Sequence, residues 1–98
     1  MDEGLVTLDL MKTHLKIETD EDEAFVMTLI SEVSQAARDF CRTEFDEDSV
    51  PGPVSLGIRL KVAFFYENRD ISDRQAYLAT DTAWQALLYP YRDLDKMF

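Results

Sequence analysis

His14 and Cys41 are the two side chains in this sequence that could act as a nucleophile or general base near neutral pH. Such chemistry requires a nucleophile, a base and an orienting group within hydrogen-bond reach of one another. The pattern places the two residues on different helices, and no third group completes a set with them. A lone histidine and a free cysteine are ordinarily packing residues. We therefore expect no enzyme activity.

Carboxylates are abundant, but their spacing does not match a metal or phosphate site. The two acidic runs, residues 20–23 and 44–48, lack the alternating aspartates and the turn glycine of a calcium-binding loop. With three glycines, one cysteine and one histidine, the chain has neither a glycine-rich phosphate loop nor a Cys/His ligand set. We expect no metal and no cofactor.

Length and composition indicate a single folded domain over residues 1–98. Hydrophobic residues make up 46% of the chain, which is enough for a core and too much for a disordered protein. One cysteine excludes an internal disulfide and is typical of an intracellular protein. No apolar run approaches the ~20 residues of a membrane span, and Asp2 and Glu3 stand where a secretory signal has basic residues. We expect neither secretion nor membrane contact.

The net charge of −10 is unevenly distributed along the sequence. Residues 1–50 carry fourteen acidic and four basic side chains, whereas residues 51–98 carry six of each. An acidic excess disfavours binding that depends on neutralising DNA phosphates. It is compatible with a different class of protein, an acidic DNA mimic that inhibits a nucleic-acid-binding enzyme. The charge is clustered at two places rather than along one face, which argues against that alternative.

Hydrophobic spacing predicts an all-α fold, a small bundle of about four helices with an acidic loop and an extended C-terminal tail. The first helix covers about residues 8–15, with Thr7 as its N-cap. The second is long, about residues 20–43, and Asp20 with Glu23 resembles a capping box at its start. One apolar stripe runs along this helix: Val26, Leu29, Ile30, Val33, Ala36, Ala37 and Phe40.

After a loop over residues 44–53, the segment 54–66 fits two patterns. Its alternating apolar residues suit a strand, while its helical spacing gives a helix buried on nearly all sides. We favour the helix because the sequence offers no second strand for pairing. Gly57 is then the weak point of this helix, because glycine has a low helix propensity.

A polar break over residues 67–74 precedes the last helix, which is predicted to be short. Thr80 or Asp81 is its candidate N-cap, and Pro90 ends it. Residues 91–98 form the tail. The C-terminal half is rich in aromatic residues, and the tyrosines that a core does not need favour an interface. We expect the core to take two of the aromatic residues first, Phe65 and Trp84.

Five short motifs follow one another in a characteristic order. A Val-Thr-Leu start leads into a first helix ending in His-Leu-Lys-Ile, and Asp-Glu-Asp-Glu opens the long helix. Phe-Phe-Tyr-Glu-Asn-Arg-Asp ends the third helix, and Leu-Leu-Tyr-Pro-Tyr-Arg comes last. The motifs occupy residues 6–8, 14–17, 20–23, 64–70 and 87–92. In this combination the sequence resembles the small head–tail connector, or adaptor, proteins of long-tailed bacteriophages, over about residues 5–92.

The resemblance implies an all-helical structural protein, made in the host bacterial cytoplasm and located at the head–tail junction of the virion. Its subunits would form a ring beneath the portal protein, with the portal's twelvefold symmetry, and would join a tail-side neck or head-completion protein. DNA would only pass through the central channel. Two segments depart from the family pattern: the acidic run 44–48 is denser and the segment 71–82 is longer than expected.

Two groups of residues are candidates for contacts in such a ring. Tyrosine and arginine are enriched at interfaces, and arginine forms ordered pairs with carboxylates. The candidate subunit or portal interface is therefore Tyr66, Glu67, Arg69, Tyr89, Tyr91 and Arg92. Ordinary helix-end preferences explain residues 66–69 equally well.

The second group consists of carboxylates that would face the channel. Acidic side chains on its wall would keep DNA phosphates from binding as the duplex slides past. These candidates are Glu44, Asp46, Glu47 and Asp48. A solvated loop is the simpler explanation of the same run.

Overall fold

Four α-helices and a final 3₁₀ turn make up the structure, a computed structural model that describes residues 4–16, 21–45, 49–67 and 74–92. The helices are α1 (Leu8–Leu15), α2 (Glu23–Cys41), α3 (Gly52–Glu67) and α4 (Arg74–Leu88), and the 3₁₀ turn is Tyr89–Tyr91. The described ranges contain no β-strand. The predicted all-α bundle of four helices is confirmed.

Capping residues mark the ends of the first two helices. The Oγ1 atom of Thr7 accepts a hydrogen bond from the Leu10 N–H at 3.1 Å, which confirms Thr7 as the N-cap of α1. In α2 the N-cap is Asp22, and its side chain does not cap the helix. The predicted start at Asp20 is therefore wrong, and Asp20 itself lies outside the described residues. The helix ends at Cys41 because Arg42 adopts a left-handed conformation (φ 56°).

The segment after the loop is helical, as predicted, but it starts earlier than expected. α3 begins at Gly52, so the last two residues of the predicted loop belong to its first turn. Pro53 is tolerated there because the first helical N–H groups have no partner within the helix. The N–H of Ser55 donates to the Pro51 carbonyl at 3.0 Å, which closes the first turn.

The last helix is longer than the sequence analysis predicts. α4 starts at Arg74, so Thr80 and Asp81 lie inside it and neither is its N-cap. The carboxylate of Asp81 instead accepts a hydrogen bond from Lys61 of α3 at 2.9 Å. Asp81 thus lies on the face of α4 that packs against α3, together with Tyr77 and Trp84 at helical spacing.

The core lies mainly between α2, α3 and α4, and α1 packs against α2 and α3. The predicted stripe on α2 is confirmed: five of its seven residues are buried, and Ala36 and Phe40 are partly buried against the core. Trp84 is buried as predicted, at 5% exposed. The prediction for Phe65 is wrong in degree, since it is half-buried while the neighbouring Phe64 is only 8% exposed. Both rings contact Tyr77 of α4.

At Gly57, α3 and α4 approach each other closely. A Cβ atom at this position would lie 2.6 Å from Cδ1 of Leu88 and 3.3 Å from Cδ1 of Trp84. The absence of a side chain therefore lets two large residues of α4 pack directly on the α3 backbone. Gly57, which its low helix propensity marks as the weak point of α3, is therefore a site of close packing between two helices.

Candidate functional site

Two of the sequence motifs make contacts with α2, and the first of these motifs lies at the end of α3. The hydroxyl of Tyr66 donates to Oδ2 of Asp22 at 2.7 Å, and its ring lies 6.2 Å from that of Phe25. Tyr66 therefore fastens the end of α3 to the start of α2. Glu67 is the last residue of α3 and is exposed, and Arg69 lies outside the described residues. A subunit contact through these residues stays a prediction.

The C-terminal motif is fastened to the opposite end of α2. The Nε atom of Arg92 donates to the Phe40 carbonyl at 2.9 Å, and the guanidinium lies 4.5 Å from the centre of the Phe40 ring. Arg92 thereby satisfies one of the carbonyls that a helix end leaves without an internal partner. It also lies 5.6 Å from the ring of Tyr89, whose side chain is 57% exposed, whereas Tyr91 is partly buried.

Cys41 lies beneath this C-terminal contact and is completely buried. Its thiol is 3.6 Å from the Leu88 carbonyl oxygen. Burial raises the pKa of the Cys41 thiol, and the positive charge of Arg92 lowers it by a smaller amount. The thiol is therefore a neutral packing group, in agreement with the sequence analysis. His14 is partly buried on α1, a separate element.

The acidic loop leaves α2 beside two arginines. The Nε atom of Arg38 donates to the Glu44 carbonyl at 3.1 Å and lies 3.9 Å from the Glu44 carboxylate. The side chain of Glu44 is nonetheless 93% exposed, and an open depression of about 500 Å³ is lined by Arg38, Asp39, Arg42 and Glu44. Asp46, Glu47 and Asp48 lie outside the described residues. A channel-facing role for the four carboxylates stays a prediction.

A groove of about 300 Å³ opens between α2, α3 and α4. Its floor is formed by Leu29, Val33 and Ala36 of α2, and its far wall by Phe65 and Tyr77. Two charged side chains complete the lining, Glu32 and Lys61. We refer to this feature as the α2–α4 groove.

Lys61 is fixed on one side of the α2–α4 groove. Its Nζ atom is 2.9 Å from the Asp81 carboxylate and 3.9 Å from the centre of the Trp84 ring. The ammonium therefore has both an ion-pair partner and a cation–π contact. The Nε1 atom of Trp84 is buried, and within the described residues it has no hydrogen-bond partner.

From Gln75 to Ala86, the outward face of α4 exposes no charged side chain. In a chain of which 31% is charged, this face consists of exposed apolar, small and amide or hydroxyl side chains. They are Gln75, Leu78, Ala79, Thr82, Ala83, Gln85 and Ala86.

Comparison with known proteins assigns the family. The model of the family described as phage gp6-like head-tail connector protein matches residues 5–93. The chain belongs to this family. A search of the curated proteins finds no match, and a search of the solved structures finds none either.

Membership makes the connector a structural protein of the phage particle, and implies a location in the virion and a non-enzymatic role. The end of α3 and the C-terminal motif each supply one side chain, Tyr66 and Arg92, that contacts one end of α2 in the connector.

Two further properties concern only the part of the connector that the structure describes. None of its helices is both long enough and apolar enough to cross a membrane. Over the same residues, no three or more His, Cys, Asp or Glu side chains come together in a way that could hold a metal ion.

The α2–α4 groove is the feature of the connector that sequence reasoning missed. The spacing of Leu29, Val33 and Ala36 predicts that they face the bundle, but not that a gap remains above them. The one signal that pointed to it was the number of aromatic residues in the C-terminal half. Two of those aromatic residues, Phe65 and Tyr77, line the groove.

Proposed function

We propose that the connector is the adaptor subunit of a ring that lies beneath the portal, joins the DNA-filled head to the tail and continues the DNA channel. In this proposal the ring has the portal's twelvefold symmetry, and its partners are other copies of the chain, the portal protein and a tail-side neck or head-completion protein. The protein is made in the bacterial cytoplasm and functions at the head–tail junction. The family match over residues 5–93 supports the proposal.

A closed ring requires two different complementary surfaces on each subunit. Candidates on the connector are the C-terminal motif, with Tyr89, Tyr91 and Arg92, and the end of α3, with Tyr66, Glu67 and Arg69. In the first of these, Tyr89 is exposed to solvent. In the second, Glu67 is exposed while the Tyr66 hydroxyl is already bound to Asp22. We assign the exposed Tyr89 and Glu67, together with the partly exposed Arg92, to contacts with a subunit or with the portal.

The central experiment measures the mass of the purified connector by light scattering over a concentration series, alone and then mixed with the portal of the same virus. We expect a closed ring, or elution together with the portal. A connector that stays monomeric and does not bind the portal at any concentration would overturn the proposal. It would leave the helical fold unaffected.

The channel lining is tested separately. We propose that Glu44 and the acidic residues 46–48 face the DNA, which is supported by the 93% exposure of the Glu44 side chain. Replacing Glu44 and Asp46 with lysine should make the assembled connector retain DNA in a salt-sensitive manner. The matched control replaces the exposed Asp9 and Glu21 with lysine, which changes the net charge by the same amount. Equal DNA retention by both variants would contradict the assignment.

A further inference from the structure

We propose that the α2–α4 groove receives the side chain of Tyr89 from a second copy of the chain. This inference rests on the proposed function, because it specifies the contact by which the ring is built. It assigns the two complementary surfaces to particular residues. The groove is the receiving surface, and the exposed tyrosine of the C-terminal motif is the inserted one.

The two surfaces are suited to each other in shape and polarity. The groove is open, about 300 Å³ in volume, and is floored by aliphatic side chains with aromatic walls. Tyr89 has the highest exposure, 57%, among the large hydrophobic side chains of the described residues. A tyrosine buries a large apolar area and can keep its hydroxyl at a wet edge, which makes it a common anchor at interfaces.

The backbone that carries Tyr89 is also fixed before any partner binds. It lies in the 3₁₀ turn Tyr89–Tyr91, and this turn is secured on both sides by contacts to α2. The Leu88 carbonyl is bound by the Cys41 thiol, and Arg92 is bound to the Phe40 carbonyl. An anchor whose backbone is already fixed loses less conformational entropy on binding than one on a free tail.

Charge complementarity favours a copy of this same chain as the occupant. Glu32 is exposed and lines the groove, and Lys61, which also lines it, is already paired with Asp81. Arg92 stands beside Tyr89, and no ion pair between described residues involves either Arg92 or Glu32. Insertion of Tyr89 would bring the two opposite charges together across the boundary. An arginine–carboxylate pair of this kind fixes the orientation of the partners.

The contact must form between copies rather than within one. Tyr89 does not line the groove of its own chain, and along α4 it lies twelve residues beyond Tyr77, which is about 18 Å. The groove and the inserted tyrosine are thus separate surfaces of one subunit. A contact between two different surfaces is heterologous, and a heterologous contact closes into a ring when the rotation between copies allows it.

A cross-linking experiment tests the contact directly. Two single-cysteine variants, Ala36→Cys and Tyr89→Cys, are prepared in a Cys41→Ser background, which keeps a donor for the Leu88 carbonyl. They are mixed at a concentration about a hundredfold above that of half-maximal self-association, so that the weaker association expected without the Tyr89 ring is still saturated, and are then oxidised. A disulfide requires Cβ atoms about 4 Å apart, so a mixed disulfide reports close approach of the groove and the tyrosine position. The control pairs Ala36→Cys with Leu78→Cys, since Leu78 is 47% exposed on the same helix as the groove residue Tyr77. We expect the 36–89 disulfide to exceed the 36–78 disulfide about tenfold.

Association measurements give a second readout. Tyr89→Ala should raise the concentration needed for half-maximal self-association about tenfold, the usual effect of truncating an interface anchor, while Leu78→Ala should leave it unchanged. Glu32→Arg should weaken association as well. Added salt should weaken the association of the natural sequence more than that of Glu32→Gln, because only the natural sequence has the Glu32–Arg92 ion pair to be screened. The same salt dependence in both proteins would contradict the pair.

The outcomes separate this inference from the proposed function. Cross-linking is run on the free connector and on its mixture with the portal, and a preferred 36–89 disulfide in either sample supports the contact. Its absence from both, or a disulfide between residue 36 and the portal instead, overturns it. Portal binding without the 36–89 disulfide would leave the adaptor proposal intact. The 36–89 disulfide without portal binding would support the contact between copies but not the adaptor proposal.

Discussion

The two ends of α2 are held by side chains from distant parts of the chain, but by different chemistry. At the start, the Tyr66 hydroxyl binds the side chain of Asp22, and both groups are partly exposed. At the end, Arg92 binds the backbone carbonyl of Phe40 and covers its ring, directly above the buried Cys41. The first contact lies at the edge of the bundle. The second adjoins the core, so a substitution that removes it should lower the free energy of unfolding by more.

The largest effect is expected from the packing that supports the C-terminal end. Gly57→Val would place side-chain atoms where Leu88 and Trp84 now lie, and such overpacking costs about 3 kcal/mol. Because Leu88 carries the carbonyl that contacts Cys41, the damage should spread to the end of α2. Urea unfolding measures the loss.

Leu56→Val is the control for this substitution. It places the same side chain one position earlier in the same helix, where the natural leucine is 37% exposed, so we expect a change of less than about 1 kcal/mol. Helix propensity favours valine over glycine, so an unchanged or more stable Gly57→Val variant would mean that propensity, rather than the close approach of α4, governs position 57.

Arg92→Ala should have the next largest effect. It removes a charged hydrogen bond to the Phe40 carbonyl together with a cation–π contact, for a combined loss of about 2 kcal/mol in the free energy of unfolding. Arg92→Lys keeps the charge but not the planar guanidinium, so its loss should be intermediate. If Arg92→Ala unfolds at the same urea concentration as the natural sequence, the C-terminal motif does not stabilise α2.

Tyr66→Phe should cost less, about 1 kcal/mol. It removes the hydroxyl that donates to Asp22 and keeps the ring contact with Phe25, and water can replace the lost hydrogen bond because the site is partly exposed. A double-mutant cycle with Asp22→Asn isolates the pair. A loss as large as that of Arg92→Ala would remove the distinction between the two ends of α2.

The smallest effect is a dependence of stability on alkaline pH. Burial raises the pKa of the Cys41 thiol in the folded protein, so the unfolded chain releases this proton at lower pH. The thiol's contribution is complete below the unfolded pKa of about 8.5 and is lost as the pH rises through the folded pKa. Unfolding curves of the natural sequence and of Cys41→Ala should therefore converge or cross as the pH rises above about 8.5, since the variant lacks this loss. Parallel pH profiles would contradict the prediction.

The fold could be predicted to a large extent from local patterns. The stripe on α2 is periodic over its full length, and the N-cap at Thr7 acts over only three residues. The errors occurred where local signals compete. Asp81 carries the signature of an N-cap, but its carboxylate is used by Lys61 on the neighbouring helix, and the helix continues through it.

The candidate site was predicted less completely. The motifs that mark the family also contain Tyr66 and Arg92, and the structure gives both residues partners within the same chain. The sequence could not supply those partners, because they lie 44 and 52 positions away. A contact between distant residues depends on how the helices cross, and no local pattern encodes that angle.

The helical fold, the acidic N-terminal half and the order of the motifs can be read from the sequence alone, because periodicity, charge and motif order are properties of neighbouring residues. How α3 and α4 meet at Gly57, how both ends of α2 are secured and where the α2–α4 groove remains open depend on the tertiary structure. These features arise from the volumes of side chains that meet across helices. Close packing, rather than hydrophobicity alone, decides whether a contact or a gap results.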